Sequence, residues 1–424
     1  MSQGTGGGAI ISAVNLDKGV AQYFDGSDSE LYYGKVRIQP LIFQDDILRM
    51  ASSVSSAKVG NIKLSVMANS KQLEMHPEKT CFITMGKKDQ ILKIEKEIER
   101  SPIMFGNFDT KMKANEKWLG DRISESGLST SVELTVKQRK GKVIAALFEI
   151  RGIIQDYRMQ SIGGMCAAID LFELAIIPAL LNNSESWTDV TTDTMEILED
   201  LQLMFLRIIL RVPMGTPKLA MKWDFGMLAM KFRIMVCKLT FVNSIQHMDE
   251  ESLAKQVLRE QTQKGWPGLA TEASELCDYL GLHITEERVP KATWKKQVKQ
   301  SVREKCETEM KLVMKDKTKE KVMSKENFQL KDYVKSKCIE DVRTQFKIRS
   351  GMIDCKMNFM NKTEYSASMW RCDSCMTAIE SQSHVLHCPA YRKHRENKDL
   401  SNDRDIVEYF RNVLNIRSKL NITK

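Results

Sequence analysis

Apolar and polar positions divide the chain into two regimes, one of short strand-like runs and one of long helical stripes. In the first, Val36, Ile38, Leu41, Ile42 and Phe43 form an apolar run that predicts a buried strand. The run ends at two adjacent carboxylates, Asp45 and Asp46, and turns apolar again at Ile47, which predicts a hairpin with the acids at its tip. Ile47, Met50, Ala51 and Val54 follow at spacings of three to four, and Lys58 to Leu73 continues as a helix that must close before Pro77. After Gly127 the spacing is helical almost throughout. Val132 and Val136, then Val143, Ala146, Leu147, Ile150 and Ile154, then the run from Ile162 to Leu181, all recur at helical intervals. Thr192 is placed to cap a further helix through Met195, Leu198, Leu201, Phe205 and Ile208, which Pro213 ends. Met227, Met230, Ile234, Cys237 and Phe241 mark the next, and these methionine-rich stripes read as helical core.

From Lys291 to Lys337 the pattern changes again. Trp294, Val298, Val302, Cys306, Met310 and Met314 recur every four residues, so one face of a helix packs while lysines cover the rest. The segment holds 15 Lys or Arg against 7 Asp or Glu, a surplus of 8, close to the whole chain's +9. The excess charge is therefore local. A lysine-studded helix contacts phosphates without reading sequence, whereas pairs such as Glu304 with Lys305 also suit a solvated charged helix. The same charge would serve nuclear entry equally well.

Composition bounds these readings. The 424 residues suffice for two to four domains with real cores, and 42% hydrophobic content is that of a globular protein. Ten cysteines lie singly except for one cluster, and no charged-then-apolar leader opens the chain. A secreted disulfide framework is not expected, and the expected location is a reducing, intracellular one, nucleus or cytoplasm. The run from Ile162 to Leu181 contains Asp170, Glu173 and Pro178, which argues for a buried helix and against a membrane span.

Two places carry chemistry. Adjacent carboxylates repel unless a cation sits between them, and Phe43 and Ile47 are expected to hold Asp45 and Asp46 against a core, a placement that suits a divalent metal. Near the other end, Cys372, Cys375, His384 and Cys388 are spaced by two, eight and three residues, a set that suits tetrahedral zinc. His384 and Cys388, four apart, face one way on a helical turn, whereas His387 points elsewhere. Arg371, Tyr391, Arg392, Lys393 and Arg395 surround the cluster, which reads as a structural zinc presenting cations to nucleic acid. Residues 397 to 424 read as a short helix from Ile406 to Leu414 and a polar tail.

The acidic box Phe43-Gln44-Asp45-Asp46 resembles the two-aspartate box of the reverse transcriptases of non-LTR, LINE-type retrotransposons. Three further boxes stand in the family's order. Gln3-Gly4-Thr5-Gly6-Gly7-Gly8 resembles the glutamine-glycine palm motif at the nucleotide and template. His76-Pro77-Glu78-Lys79-Thr80, followed by Cys81-Phe82-Ile83, resembles the next palm motif. Trp118-Leu119-Gly120, continuing to Ser124, resembles the primer grip, and the cysteine-histidine cluster resembles the family's C-terminal module.

The resemblance implies an α+β fold whose N-terminal part, 1–124, is a partial polymerase palm. A mostly α-helical thumb and extension follow over 125–285, then a basic helical segment over 286–345 and a zinc-binding module and tail over 346–424. It further implies Mg2+ or Mn2+ held by Asp45 and Asp46, Lys79 near the nucleotide phosphates, and Gln3, Gly4, Phe43 and Gln44 at nucleotide and template. Trp118, Leu119 and Gly120 would lie at the primer, with an RNA template, a DNA primer and dNTPs as partners. An ordinary surface lysine remains the alternative for Lys79, and a flexible tail for the glycine-rich opening. The family needs another aspartate on an earlier palm strand, and Asp17, Asp25 and Asp28 sit in polar or helical settings. The expectation is a polymerase that begins inside the palm and does not polymerise alone. The competing expectation is a non-catalytic nucleic-acid-binding remnant that uses the basic helices and zinc module.

Overall fold

Short strands occupy the first part of the chain and helices the rest, as the two hydrophobic regimes predict. The computed structural model describes residues 31–43, 46–155, 161–282, 289–315, 323–359, 370–396 and 398–419. The chain divides into two units, Met1–Thr135 with Asn183–Thr191 and Cys237–Val298, and Val136–Asn182 with Thr192–Val236 and Lys299–Lys424.

In the first unit, the run from Val36 to Phe43 is two strands and not one. Val36–Ile38 pairs antiparallel with Leu31–Tyr33, while Leu41–Phe43 pairs antiparallel with Asp46–Leu48. Pro40 has no N–H to offer a ladder and separates the two. Nor is the second strand buried: Leu41 is 38% exposed and Phe43 52% exposed. Strand alternation turns Ile42 and Ile47 inward instead, against Leu64, Met67 and Phe105. Ile47 thus belongs to the returning strand, Asp46–Leu48, and the helix begins only at Val54, where Ser53 caps it by accepting the Ser56 N–H at 3.1 Å. This helix, Val54–Ser70, supplies Leu64 and Met67 to the cluster, and the stacked rings of Phe105 and Phe108 close it.

A second hairpin, Asn115–Trp118 with Asp121–Ser124, turns through Leu119 and Gly120. Both residues have positive φ, 47° and 96°, the turn whose twist matches two antiparallel strands. Leucine resists this conformation, and the hairpin is held from outside. Arg122 N–H donates to the Thr135 hydroxyl at 2.7 Å, Ser124 N–H to the Ser131 hydroxyl at 2.9 Å, and the Asn183 amide to the Leu119 carbonyl at 3.2 Å.

In the second unit, Phe172 stacks on Phe205 with ring centroids 4.1 Å apart. The run from Ile162 to Leu181 is helical from Gly164, with a π turn at Phe172–Ile176. Pro178 lacks the N–H that an α-helix would offer to residue 174, and the wider turn accommodates the loss. Glu173, charged within this apolar run, takes both Arg233 Nη atoms at 2.6 and 2.7 Å. A buried polar knot lies nearby in sequence: Asp224, fully buried, accepts from Tyr333 Oη at 2.8 Å and from Arg349 Nε at 2.8 Å and Nη2 at 3.1 Å. Gly226 at φ 58° follows it, where a Cβ would lie 2.6 Å from the Leu330 backbone nitrogen, so only glycine fits.

Helix Lys291–Lys315 buries Trp294, Val298, Val302, Cys306, Met310 and Met314, each at 5% exposure or less. The every-fourth-residue stripe is therefore its packed face, with Lys295, Lys296 and Lys299 exposed. Helix Thr192–Leu210 ends ahead of Pro213 as expected, with Arg211 at φ 51°. Among the described residues, no helix is long and apolar enough to cross a membrane.

Candidate metal centre and acidic hairpin

The cysteine-histidine cluster is built from a knuckle and a short helix. Trp370 O accepts the Glu380 N–H at 2.7 Å and Cys372 N–H donates to Ala378 O at 2.9 Å, closing a narrow loop around Cys372 and Cys375. Met376 N–H reaches back to Cys372 O at 2.7 Å, which takes Met376 to φ 58°. The second pair of ligands comes from helix Gln382–His387. Ser381 caps it, accepting the His384 N–H at 3.1 Å, and Cys388 stands at its end.

The two halves meet. Cys372, Cys375, His384 and Cys388 each offer one ligand atom, and these atoms lie within 4.8 Å of one another, so the group could hold a metal ion. Cys372 Sγ and Cys388 Sγ are 3.9 Å apart, and Cys375 Sγ and His384 Nε2 3.2 Å. A tetrahedral zinc with Zn–S near 2.3 Å needs edges of about 3.8 Å between its sulfurs, so little movement is required. His387, as expected, turns away: its Nδ1 meets the Ser383 carbonyl at 3.0 Å.

The electrostatics of the cluster favour a cation. Desolvation pushes the Cys388 thiol up to about 12. At Cys375 burial also acts upward, but the Thr377 hydroxyl at 3.0 Å, the Thr377 amide and the neighbouring thiols lower the value to about 6. Thiols this close together resist ionising as a set, so deprotonating them as ligands requires positive charge among the sulfurs.

The module's support was not visible in the sequence. The terminal helix runs over Asp403–Lys419, longer than the Ile406 to Leu414 expected, and its Tyr409, Phe410 and Val413 pack with Cys372, Val385, Cys388 and Tyr391 in one cluster. Part of the stretch expected as polar tail is thus packed helix, where Arg417 is 1% exposed and pairs with Glu380. Of the surrounding cations, Arg395 turns inward and donates to Leu386 O at 3.1 Å and Cys388 O at 2.8 Å. Arg371, Arg392 and Lys393 are exposed, whereas Tyr391 is buried with its hydroxyl 2.5 Å from Ser374 Oγ.

At the other candidate site, Asp46 opens the returning strand opposite Phe43, which leaves Gln44 and Asp45 as the two connecting residues. Gln44 and Asp45, like Gln3 and Gly4 of the glycine-rich opening, lie outside the described residues. Lys79 is exposed on a turn closed by its own N–H to His76 O at 3.2 Å, just ahead of strand Cys81–Phe82. Trp118 ends one strand of the second hairpin and Leu119 and Gly120 form its turn. Only the zinc-type cluster has all its residues brought within ligating distance among the described residues. No family model, curated protein or solved structure matches the chain.

Proposed function

We propose that the chain carries palm motifs of a retrotransposon-type reverse transcriptase, and that it binds primer–template through its basic helix and a zinc-bearing module. The observation that carries this reading is the acidic hairpin. Phe43 pairs with Asp46, so Asp46 opens the returning strand of a hairpin, which supports the resemblance of Phe43-Gln44-Asp45-Asp46 to the family's acidic box. The hairpin is anchored by Ile42 and Ile47 on the Val54–Ser70 helix, which gives the tip a fixed base. The second hairpin, with Leu119 and Gly120 at its turn, supports the reading as a primer grip.

In this reading Asp45 and Asp46 hold Mg2+ or Mn2+. A metal held there would supply the means to activate a primer 3′-hydroxyl and to steady the negative charge of departing pyrophosphate. Lys79 neutralises phosphate charge, Phe43 and Gln44 with Gln3 and Gly4 flank nucleotide and template, and Trp118, Leu119 and Gly120 hold the primer end. Cys372, Cys375, His384 and Cys388 hold zinc, whose role is to fix the terminal module. A second reading, binding without catalysis, is favoured by one observation: the cysteine-histidine set is assembled, while Asp46 is exposed.

The test is fluorescence anisotropy of a labelled RNA–DNA primer–template with the purified chain, followed by addition of dNTPs. The reading expects binding that weakens steeply with salt, tightening with dNTP and Mg2+ that Asp46→Ala abolishes, and no primer extension by this chain alone. Tightening that is absent, with binding intact, leaves the non-catalytic reading. Failure to bind at low salt overturns both, and Mg2+-dependent extension overturns the expectation of an incomplete metal site.

A further inference from the structure

Helices Leu128–Gln155 and Thr192–Leu210 leave an open groove of about 850 Å³ in the second unit. Its floor is aliphatic. Ile144 and Ile154 come from one helix, and Ile197, Leu201, Met204 and Ile208, at helical spacing, from the other. Its rim is basic. Lys140, Arg151, Arg207, Arg211 and Lys218 line it, with Arg343 beneath and Asp200 as the one carboxylate among the lining residues.

Much of that positive charge is unmatched. Asp200 stands 3.9 Å from Lys218, and Arg211 shares Glu340 with Arg343. Among the described residues no carboxylate pairs with Lys140, Arg151 or Arg207, and Arg207 Nε is buried without a hydrogen-bond partner. A buried donor in that state is open to an acceptor that a ligand brings.

We propose that this groove takes an acidic amphipathic helix from a partner protein. The ligand must be apolar along its centre and anionic along its edges, since the floor is aliphatic and the rim basic. Length points to a helix. Lys140 to Arg151 and Ile197 to Ile208 each cover eleven helical steps, about 16 Å, or three turns of a third helix laid in the groove. Single-stranded nucleic acid fits less well: no lining residue is aromatic or histidine, so bases find no stacking platform. Met204 and the exposed Met214 add side chains that adjust to a partner's leucines.

The proposal is independent of the polymerase reading. Its test uses the full chain and a fluorescent capped peptide of about 18 residues, with leucines along one face and glutamates along both flanks. Its lysine-flanked counterpart, oligouridylate and oleate complete the set of probes. The glutamate peptide is expected to bind, the lysine peptide not to. Lys140→Glu with Arg151→Glu, both exposed and without a carboxylate partner among the described residues, should weaken the glutamate peptide by about tenfold or more without changing the circular dichroism spectrum. Met214→Asp should weaken it independently. Equal binding of the two peptides, no binding of either, or a peptide affinity untouched by these substitutions overturns the proposal. So does oligouridylate or oleate binding that the substitutions abolish while the glutamate peptide does not bind.

Discussion

Arg417 and Glu380 pair inside the terminal module, 1% and 0% exposed, and thereby fix the last helix to the loop that carries the zinc-type ligands. Glu380 also accepts the Lys356 N–H at 3.0 Å, so one carboxylate ties three segments. The pair is incompletely satisfied, since Glu380 Oε2 and Arg417 Nε and Nη1 have no partner among the described residues. Replacing one member alone leaves a bare buried charge, and Arg417→Ala or Glu380→Ala should each cost about 3–5 kcal/mol. The double variant Glu380→Leu with Arg417→Met should recover most of that loss. Hydrogen exchange over 370–419 measures both; a double variant no better protected than the singles contradicts the account.

The metal claim predicts one zinc per chain on metal analysis of folded protein. Cys372→Ser should remove it and lower the module's hydrogen-exchange protection, because binding a metal only to the folded form stabilises it by about 4 kcal/mol at a thousandfold excess over Kd. Chelation of the unaltered protein should reproduce the loss. A folded, fully protected module without metal removes the claim.

Alkaline pH probes the second buried knot. Burial first, and then the Asp224 carboxylate, push the Tyr333 phenol well above its ordinary value of 10. A folded value raised above the unfolded one gives stability that is complete below pH 10 and lost as pH rises beyond it toward the folded value. Stability measured by urea should therefore decline above pH 10. Tyr333→Phe should flatten that decline and cost about 1.5–3 kcal/mol at neutral pH, the worth of a hydrogen bond to a charged group. An unchanged alkaline limb would show that Tyr333 is not its cause.

The basic helix separates packing from charge within a few residues. Met310→Ala should cost about 2–5 kcal/mol by opening a cavity under a fully packed face. Lys299→Glu, one residue from buried Val298, should leave stability within about 0.5 kcal/mol. It should still weaken RNA–DNA binding and reduce the salt slope by roughly one or more. A salt slope untouched by Lys299→Glu would assign the charge to solubility alone.

The parts of this architecture that were legible in the sequence are those fixed by local period. Trp294 to Met314 repeat every fourth residue, and no other element could bury all six. The hairpin at Asp46 was legible because charge interrupted two apolar runs, yet the same runs misled about burial. Phe43 looked like core, and the pleat turned it to solvent while Ile42 took the inner face. The π turn before Pro178 follows from one missing N–H, which apolar spacing does not register. Arg417 lies past the apolar stretch of its helix, and what buries it is Glu380, 37 residues earlier in the chain. The cysteines and His384 were legible because ligand chemistry constrains their intervals more tightly than helix period constrains anything around them.

The most direct measurement of the central claim, a divalent cation held at the tip of the acidic hairpin, is metal-directed backbone cleavage. Fe2+ with ascorbate and peroxide in place of Mg2+ should cut the chain beside residues 45 and 46, and excess Mg2+ should suppress the cut. Asp46→Ala should abolish that fragment while leaving the protein folded. Cleavage confined to other places, or a fragment at the hairpin that survives Asp46→Ala, would contradict the account.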